Sequence, residues 1–339
     1  SLGLVGSEMC IRDRLILCAA AIVWFATPVQ ACTSAVVSGK VTPDGRPLLW
    51  KNRDTDFMRN HIDYVKGEKY NFIAVVNSAN AYLKEAWMGT NSSGFALMNT
   101  QSYNLVDVKG DEERGAANGR VIYRALEVCA TVEDFCHFLD TISKPSDIEA
   151  NFGVIDAQGG AAMFEVDYHK YVMYDANNPK DAPYGYIART NFSFAGKVNE
   201  GAGYVRYMEA DQVLMKASAT GSITPQFIFN DLSRSFRNRM LDIDLRSGAY
   251  NRPQASGWFV DQDFIPRSST SCSVVVQGVK PGEKAELTTM WTLLGYPPTG
   301  IAVPLWVKDA GKLLPGMVRF GKEHEAAPLS DWSLRLADR

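Results

Sequence analysis

Cys32 stands where a cysteine side chain could act as a nucleophile. It follows an apolar leader that ends in "TPVQA" and precedes "TSAVVSG", a run that predicts a β-strand. Val29 and Ala31 are residues that a signal peptidase accepts three positions and one position before its cleavage point. Cleavage there would make Cys32 the first residue, with its own α-amine beside the thiol.

The amine created by that cleavage is a base suited to a thiol nucleophile. A thiol is only a few per cent thiolate at neutral pH and needs a proton acceptor. A free α-amine has a pKa of roughly 7.7–8.0, close to working pH, so such a site needs no catalytic histidine. The chain has only four histidines, scattered without the spacing of metal ligands, and it lacks a G-x-S-x-G motif. These features weaken papain-like and Ser-His-Asp schemes and a His-based metal site, and they are neutral for a cysteine whose base is its own amine.

Two other interpretations of Cys32 stay open. It could be a buried cysteine at the start of a strand, the usual role of an isolated cysteine. "VQAC" also partly fits a bacterial lipobox, which would make the protein an exported, lipid-anchored lipoprotein or binding protein without catalysis. Gln30 is a poor residue in that motif, and a lipidated cysteine usually leads into a flexible polar tether rather than an apolar strand. The nucleophile is therefore the favoured interpretation.

Residues 1–31 are expected to be a non-native leader plus a signal peptide that is removed. Arg12 and Arg14 precede "LILCAAAIVWFA", an apolar run too short for a typical transmembrane helix. The mature protein is then expected to be exported, either to the periplasm or to the medium, with a signal peptidase as its processing partner. A net charge of −3 gives no electrostatic basis for binding nucleic acid.

Residues 32–339 are predicted to form a single α+β domain with extensive antiparallel sheet. Strand-like runs flank the turn "TPDGR", which predicts a hairpin, and a capping box of Thr131 and Asp134 predicts the start of a helix. Residues 204–240 are predicted to be helical, and residues 309–339 a polar surface tail with one or two helices. Strands and helices occur in blocks rather than in alternation, which favours the α+β class.

Two smaller features carry expectations of their own. Cys129 and Cys136 lie seven residues apart in a helical stretch and are interpreted as two buried small side chains, with a disulfide as the alternative. "IAVPLWV" predicts a short strand in which Pro304 marks an edge position or a bulge.

The stretch "CTSAVVSGKVTPDGRPLLWKNRDTD" resembles the start of the N-terminal-nucleophile (Ntn) cysteine hydrolases. That group includes choloylglycine hydrolase, penicillin V acylase and the acyl-CoA:6-aminopenicillanate acyltransferase-like proteins. Similar segments follow in the same order as in the group: "NSSGFALMNT", "ANFGVIDAQGGAAMFEV", "RTNFS" and "PRSSTSCSVVV". The resemblance spans roughly residues 32–306. It implies a four-layer αββα sandwich with two packed antiparallel sheets.

The resemblance also implies roles for individual residues. Cys32 would be the nucleophile and its amine the base, and Asp54 would accept a hydrogen bond from the amine or thiol. Asn99 would donate to the oxyanion, and Asn191 would donate near the nucleophile. Arg267 would take the part of a late arginine in the group's pattern.

The main departure from the group lies just before Asp54. The group has Arg-Asn-x-Asp at the end of the second strand, whereas this chain has Lys51 in place of the arginine. Arg53 follows two residues later and falls on the same face of a strand, so it could partly take over the cationic role. A lysine ammonium is a point charge and does not replace a guanidinium fork.

The activity implied by the resemblance is cleavage of a linear amide C–N bond through a thioester. Water would complete a hydrolysis, and an acceptor amine would complete an acyl transfer. Expected substrates are small N-acyl amides such as bile-acid conjugates, penicillins or acylated amines, and dipeptide hydrolysis is an alternative within the enzymes. Neither a cofactor nor nucleic acid is expected as a partner. Association with further copies of the same chain into a homo-oligomer stays open.

Overall fold

The computed structural model describes residues 31–106, 117–248, 261–321 and 326–337. The predicted leader over residues 1–31 therefore lies outside the described residues, apart from Ala31. Among the described helices, none is both long enough and apolar enough to cross a membrane.

The first two strands form the hairpin that positions Cys32. β1 (Cys32–Val37) pairs antiparallel with β2 (Leu48–Asp54), which places Cys32 opposite Arg53. Gly45 in the connecting turn has a φ of +74°, a left-handed conformation that glycine adopts without steric cost. The predicted hairpin is confirmed.

Two antiparallel sheets make up most of the structure. The six-stranded sheet consists, in spatial order, of β10 (Tyr186–Arg189), β1, β2, β13 (Thr270–Gln277), β14 (Thr289–Leu294) and β15 (Ala302–Leu305). The seven-stranded sheet consists of β3 (Asn60–Val65), β4 (Phe72–Asn77), β5 (Met88–Asn91), β6 (Ala96–Gln101), β7 (Ala150–Ile155), β8 (Ala161–Val166) and β9 (Tyr171–Asp175). A separate two-stranded ladder joins β11 (Arg237–Asn238) to β12 (Ile243–Asp244).

An inner apolar layer packs the two sheets face to face. Val36 and Leu49 of the six-stranded sheet share one buried cluster with Met98 and Met163 of the seven-stranded sheet. The intervening residues of β1, such as Ala35, point to the opposite face and are buried as well. A strand covered on both faces reads as a continuous apolar run, which is why "SAVV" shows little alternation.

Helices cover the outer face of each sheet. The helices α1 (Asn118–Val128) and α2 (Val132–Thr141) bury their apolar stripes against the seven-stranded sheet. The helix α3 (Tyr204–Ala219) packs on the six-stranded sheet, where Leu214 clusters with Trp50. The layers therefore follow the order αββα, and the predicted fold class is confirmed.

The capping box at the start of α2 is also confirmed. Thr131 Oγ1 accepts from Asp134 N at 3.0 Å, and the Asp134 carboxylate accepts from Thr131 N at 3.2 Å. These two bonds satisfy N–H groups that have no partner within the first turn of a helix.

The helix predicted over residues 204–240 is shorter than expected. α3 ends at Ala219, because Gly221 has a φ of +59° and reverses the chain. Thr224 then caps the short helix α4 (Pro225–Phe227), which continues into a π-helical turn over Ile228–Leu232. The ladder of β11 and β12 follows instead of further helix.

The C-terminal segment contributes to the core as well as to the surface. It contains α5 (Ala310–Leu313) and α6 (Pro328–Ala337), and Leu314, Val318 and Leu329 join the apolar layer between the sheets. The backbone oxygen of Val318 accepts from Ile62 N at 2.8 Å. The segment predicted as a surface tail thereby covers the free edge of β3, a strand edge that would otherwise be open to pairing with another chain.

The two smaller expectations have clear outcomes. Cys129 and Cys136 are free thiols, so the disulfide alternative is wrong. Cys129 is buried, as expected for a small apolar side chain, and Cys136 is half-buried. Pro304 lies in β15 at the edge of the six-stranded sheet, as its missing N–H requires.

Candidate active site

Cys32, Arg53 and Cys272 lie side by side on three adjacent strands. Cys32 in β1 and Cys272 in β13 each face Arg53 of the central β2, one on either side. Neighbouring strands are about 4.8 Å apart, so the Cα atoms of the two cysteines are separated by about 10 Å, too far for a disulfide. Burial raises the pKa of the Cys272 thiol to about 11, so this thiol stays protonated at neutral pH.

Cys32 is held through its backbone and faces a carbonyl oxygen with its thiol. Its nitrogen donates to Asn191 Oδ1 at 2.9 Å, and its carbonyl oxygen accepts from Arg206 Nη1 at 2.6 Å. Its Sγ lies 3.9 Å from the backbone oxygen of Asp54. The nitrogen that cleavage after Ala31 would convert into an amine is therefore already oriented by side chains.

Asn191 contacts Cys32 through its amide oxygen, whereas a donor role was predicted. Asn191 Oδ1 accepts from Cys32 N and also from Arg206 Nη2 at 2.8 Å, while Asn191 Nδ2 donates to Gln101 O at 2.9 Å. A guanidinium can only donate hydrogen bonds, so Arg206 requires the oxygen of the amide to face it. The Cys32 nitrogen consequently meets an acceptor.

Arg206 is a site residue that the family motifs do not single out. It is 1% exposed, and its Nη1 also donates to Thr33 Oγ1 at 2.8 Å. Burial lowers the pKa of Arg206 to about 10, which still leaves it charged at neutral pH. The available signal is helical periodicity, since Arg206 shares the buried face of α3 with Ala210, Leu214 and Ala217. A charged residue in an apolar stripe marks a buried polar contact.

The Asp54 carboxylate is buried and held from two sides. Thr270 Oγ1 donates to Asp54 Oδ1 at 2.6 Å, and Arg267 Nε lies 3.0 Å from Oδ2 in an ion pair. Burial raises the pKa of Asp54, while the charges of Arg267 and Arg206 oppose that rise. The atom of Asp54 next to the Cys32 thiol is its backbone oxygen, and Arg267 acts on the site through Asp54.

Lys51 and Asn99 meet between the two sheets. Lys51 Nζ donates to Asn99 Oδ1 at 2.9 Å and to the backbone oxygen of Trp87 at 3.1 Å. An ammonium also only donates, so the Asn99 oxygen must face it. The other half of the amide, Asn99 Nδ2, forms no hydrogen bond within the described residues. It is a neutral donor of the kind that an oxyanion requires.

Arg53 is directed into the seven-stranded sheet rather than at the thiol. Its Nη1 donates to Asn60 Oδ1 at 2.6 Å and its Nη2 to Asn77 Oδ1 at 2.8 Å. Its guanidinium also lies 4.6 Å from the ring centroid of Trp87. Arg53 and Lys51 thus both project toward the second sheet, as the alternation of β2 requires.

A buried ion pair fastens the loop that follows Asn191. Glu165 in β8 accepts from Arg189 Nε at 2.6 Å, from Phe194 N at 2.9 Å and from Ala195 N at 2.7 Å. Arg189 precedes Asn191 in sequence and the other two donors follow it. The carboxylate therefore holds both chain segments that flank Asn191.

We predict that Glu165→Gln lowers the free energy of unfolding by about 3 kcal/mol. Removing one partner of a buried pair leaves the other charge uncompensated, which typically costs about 3–5 kcal/mol. Urea unfolding followed by far-UV circular dichroism measures this change. Glu286→Gln is the matched control, because Glu286 pairs with Lys308 on the surface and its loss should leave the midpoint unchanged. Equal midpoints for Glu165→Gln and the native chain would contradict the prediction.

Comparison with known proteins identifies relatives at the level of a family. The family model described as "Acyl-coenzyme A:6-aminopenicillanic acid acyl-transferase" matches residues 41–218, just over half of the chain. No curated protein matches the chain.

Several solved structures are similar to the chain at low identity. A penicillin V acylase from Agrobacterium tumefaciens is 15% identical to this chain. The match covers 82% of this chain and 86% of the acylase, with a TM-score of 0.43. A mutant conjugated bile acid hydrolase from Clostridium perfringens is 14% identical. Here the match covers 81% of this chain and 92% of the hydrolase, with a TM-score of 0.44. The Caenorhabditis elegans ortholog of N-acylethanolamine-hydrolyzing acid amidase is 16% identical. In this case the match covers 59% of this chain and 89% of the ortholog, with a TM-score of 0.42.

The segment matched by the family model contains most of the side chains gathered around Cys32. Asp54, Asn99, Asn191 and Arg206 all lie within it. The chain belongs to the acyl-coenzyme A:6-aminopenicillanic acid acyl-transferase family, within the Ntn hydrolases, whose general chemistry is amide hydrolysis or acyl transfer.

Proposed function

We propose that this protein is an exported enzyme that uses Cys32, freed as the first residue, to cleave a linear amide. The proposal rests chiefly on one observation, the 2.9 Å hydrogen bond from Cys32 N to an amide oxygen that Arg206 holds in place. In the uncleaved chain this nitrogen is an amide and cannot accept a proton. After cleavage it becomes an amine beside the thiol, with an ordinary pKa of roughly 7.7–8.0.

The proposed reaction begins when the Cys32 amine takes the thiol proton. The sulfur then bonds to the substrate carbonyl carbon, and the carbonyl π electrons move to the oxygen, which accepts a hydrogen bond from Asn99 Nδ2. Collapse of this oxyanion breaks the C–N bond, and the Cys32 ammonium gives its proton to the leaving nitrogen. The products of this half-reaction are a free amine and a thioester on Cys32.

The second half-reaction regenerates the thiol. The Cys32 amine takes a proton from water or from an acceptor amine as that group attacks the thioester carbonyl. The C–S bond then breaks, and the ammonium returns its proton to the sulfur. Water yields a carboxylic acid and an acceptor amine yields a new amide, so the same residues serve hydrolysis and acyl transfer.

A cavity near the end of β2 combines apolar surface with two charged side chains. It has a volume of about 680 Å³ and is lined by the segment 56–59, which includes Asp56 and Arg59, by Ser78 and Ala79, and by Phe320. Phe57, Met58 and Phe320 supply apolar surface, and the segment begins two residues after Asp54. We therefore propose a small N-acyl amide with an apolar acyl part as the substrate.

The position of Cys32 argues against a lipid anchor. Cys32 is 7% exposed and begins β1, which lies inside the sheet between β10 and β2. A diacylglycerol group on Sγ would have to leave this packed environment, and the chain offers no tether after Cys32.

Mass spectrometry of the exported protein, combined with a substrate panel, tests the proposal. We expect a first residue of unmodified Cys32 and hydrolysis of at least one of a bile-acid conjugate, penicillin V or a long-chain N-acyl amine. Diacylglycerol on the Cys32 sulfur, or an uncleaved Ala31–Cys32 bond in active protein, would contradict it. Activity restricted to substrates with a free α-amine would identify a dipeptidase instead.

A further inference from the structure

Lys51 is a buried cation without a carboxylate partner. Its side chain is 2% exposed and projects from β2 toward the seven-stranded sheet. Within the described part of the chain its ammonium makes no ion pair, and the acceptors of its hydrogen bonds are the neutral oxygens of Trp87 and Asn99. A buried charge is costly unless it is compensated, so its retention calls for an anion that forms when the enzyme works.

Four charged or titratable groups lie around Lys51. Cys32 on β1 and Cys272 on β13 are diagonal neighbours of Lys51, since both face Arg53 two residues further along β2. Arg53 and Asp54 follow Lys51 on its own strand. Asp54 is already paired with Arg267, and the pKa of the Cys272 thiol is raised to about 11. Cys32 is the remaining thiol near Lys51, and it is the one that the proposed reaction converts into a thiolate.

Lys51 also decides which half of the Asn99 amide is free to bind substrate. Because the ammonium occupies Asn99 Oδ1 at 2.9 Å, Nδ2 is the group left for a ligand. A rotated amide would place two donors against each other and would offer an acceptor to the oxyanion. One cation thus serves both the nucleophile and the oxyanion donor.

We propose that Lys51 is a positioning residue whose ammonium favours the Cys32 thiolate and holds Asn99 with its N–H groups toward the reacting carbonyl, and that both effects weaken when Lys51 releases its proton to solvent. The inference rests on the proposed nucleophile. It is specific to this chain, because the arginine that the family resemblance leads one to expect at this position does not titrate in the working range.

The direction of the pH effect follows from the burial of Lys51. Burial lowers the pKa of Lys51 to about 8, and formation of the Cys32 thiolate acts in the opposite direction. Below that pKa the lysine is charged and both effects operate. Above it the charge is lost, so kcat/KM should fall on the alkaline side with a limb near pH 8.

Alkylation of Cys32 by iodoacetamide provides a readout that does not depend on turnover. Its rate is measured by mass spectrometry on processed protein from pH 5 to 10 for the native chain and for Lys51→Met, Lys51→Gln and Lys51→Arg. We expect iodoacetamide to alkylate Cys32 about tenfold more slowly at pH 7 in Lys51→Met and Lys51→Gln, since one pKa unit corresponds to a tenfold change in the thiolate population. Lys51→Gln keeps a donor for Asn99 and should lose less kcat than Lys51→Met.

Lys51→Arg keeps the positive charge but does not titrate in the working range. Cys32 should be alkylated at close to the native rate at pH 7 in this variant, and its kcat/KM profile should lack the alkaline limb near pH 8. Lys40→Met is the control, because Lys40 is an exposed lysine that bonds the backbone oxygen of Asn177 in a turn remote from Cys32.

The outcomes are distinguishable from failure of the proposed function. If Cys32 of the processed protein is not alkylated faster than Cys129 and Cys272, the proposed nucleophile fails. If Cys32 is reactive but Lys51→Met alkylates at the native rate at every pH, only the role of Lys51 is overturned. Should the neutral variants fail to fold, the same alkaline limb in Lys51→Arg and the native chain would overturn it.

Discussion

Replacing Cys32 with alanine should lower kcat/KM for amide cleavage by about 10⁴-fold or more, because the Cys32 sulfur forms the thioester and the neighbouring Cys272 thiol stays protonated. Cys32→Ser should also lose at least about 10³-fold, because a hydroxyl is a much weaker acid than a thiol and the amine removes its proton less readily. Both side chains are small enough for the start of β1, so the unfolding midpoint should change little. Steady-state kinetics on the best substrate, with masses of the processed variants, measures the effect.

Cys272→Ala is the matched control for this prediction. Cys272 faces the same arginine from the other side of β2 and is equally buried, yet cleavage after Ala31 gives it no amine beside its thiol. Its removal should leave kcat/KM within about threefold of the native value. Full activity in processed Cys32→Ala, or equal losses in Cys32→Ala and Cys272→Ala, would refute the nucleophile.

The second large effect is expected at Arg206. Arg206→Met should lower kcat/KM by about 10²-fold, since hydrogen bonds to charged groups each contribute about 1.5–3 kcal/mol. The variant removes one of the hydrogen bonds that orient the Asn191 amide, and it removes the donor from the Cys32 carbonyl oxygen. The reacting amine is then held less firmly.

Arg206→Met should also move the acidic limb of kcat/KM to higher pH, by about one unit. A positive charge close to an amine opposes its protonation, and the Arg206 guanidinium lies beside Cys32. Without that charge the amine holds its proton to higher pH, and less of the enzyme carries a free base at pH 7. Arg206→Lys keeps a charge and should retain the native limb while losing rate.

The pH profile separates this role from a purely structural one. A variant that is only less stable would lose activity without moving the limb. Arg46→Met is the control, since Arg46 forms half-exposed ion pairs with Asp44 and Glu283 far from the site. Gly203→Ala offers a second test, because Gly203 has a φ of +85° and a Cβ there would overlap the Arg206 guanidinium. A native profile in Arg206→Met would contradict the assigned role.

Local signals in the sequence predicted several elements correctly. The hairpin of β1 and β2 follows from a Pro-Asp-Gly turn between two apolar runs, and the start of α2 follows from its capping box. Pro304 marks an edge strand because it lacks the N–H that an interior strand needs. Each of these depends on residues close together in the chain.

Other features depend on contacts between distant parts of the chain. Residues 309–339 appear polar in sequence, yet Leu314 and Val318 are buried because the segment covers the edge of β3. The helix from Tyr204 stops at Ala219 although the apolar pattern continues, because Gly221 adopts a left-handed conformation. The spacing of apolar residues alone predicts neither the contacts between distant segments nor the backbone conformation of a single glycine.

The sequence by itself determined which chemistry to test. A cysteine after a predicted leader indicates a thiol whose base is its own amine, and the resemblance to the Ntn cysteine hydrolases implies that its substrate is an amide. The tertiary structure alone decided how each amide points, because orientation is set by donors 15 to 48 residues away in the chain. Arg206 holds the Asn191 oxygen that faces the Cys32 nitrogen, and Lys51 holds the Asn99 oxygen, since a cation can only donate hydrogen bonds.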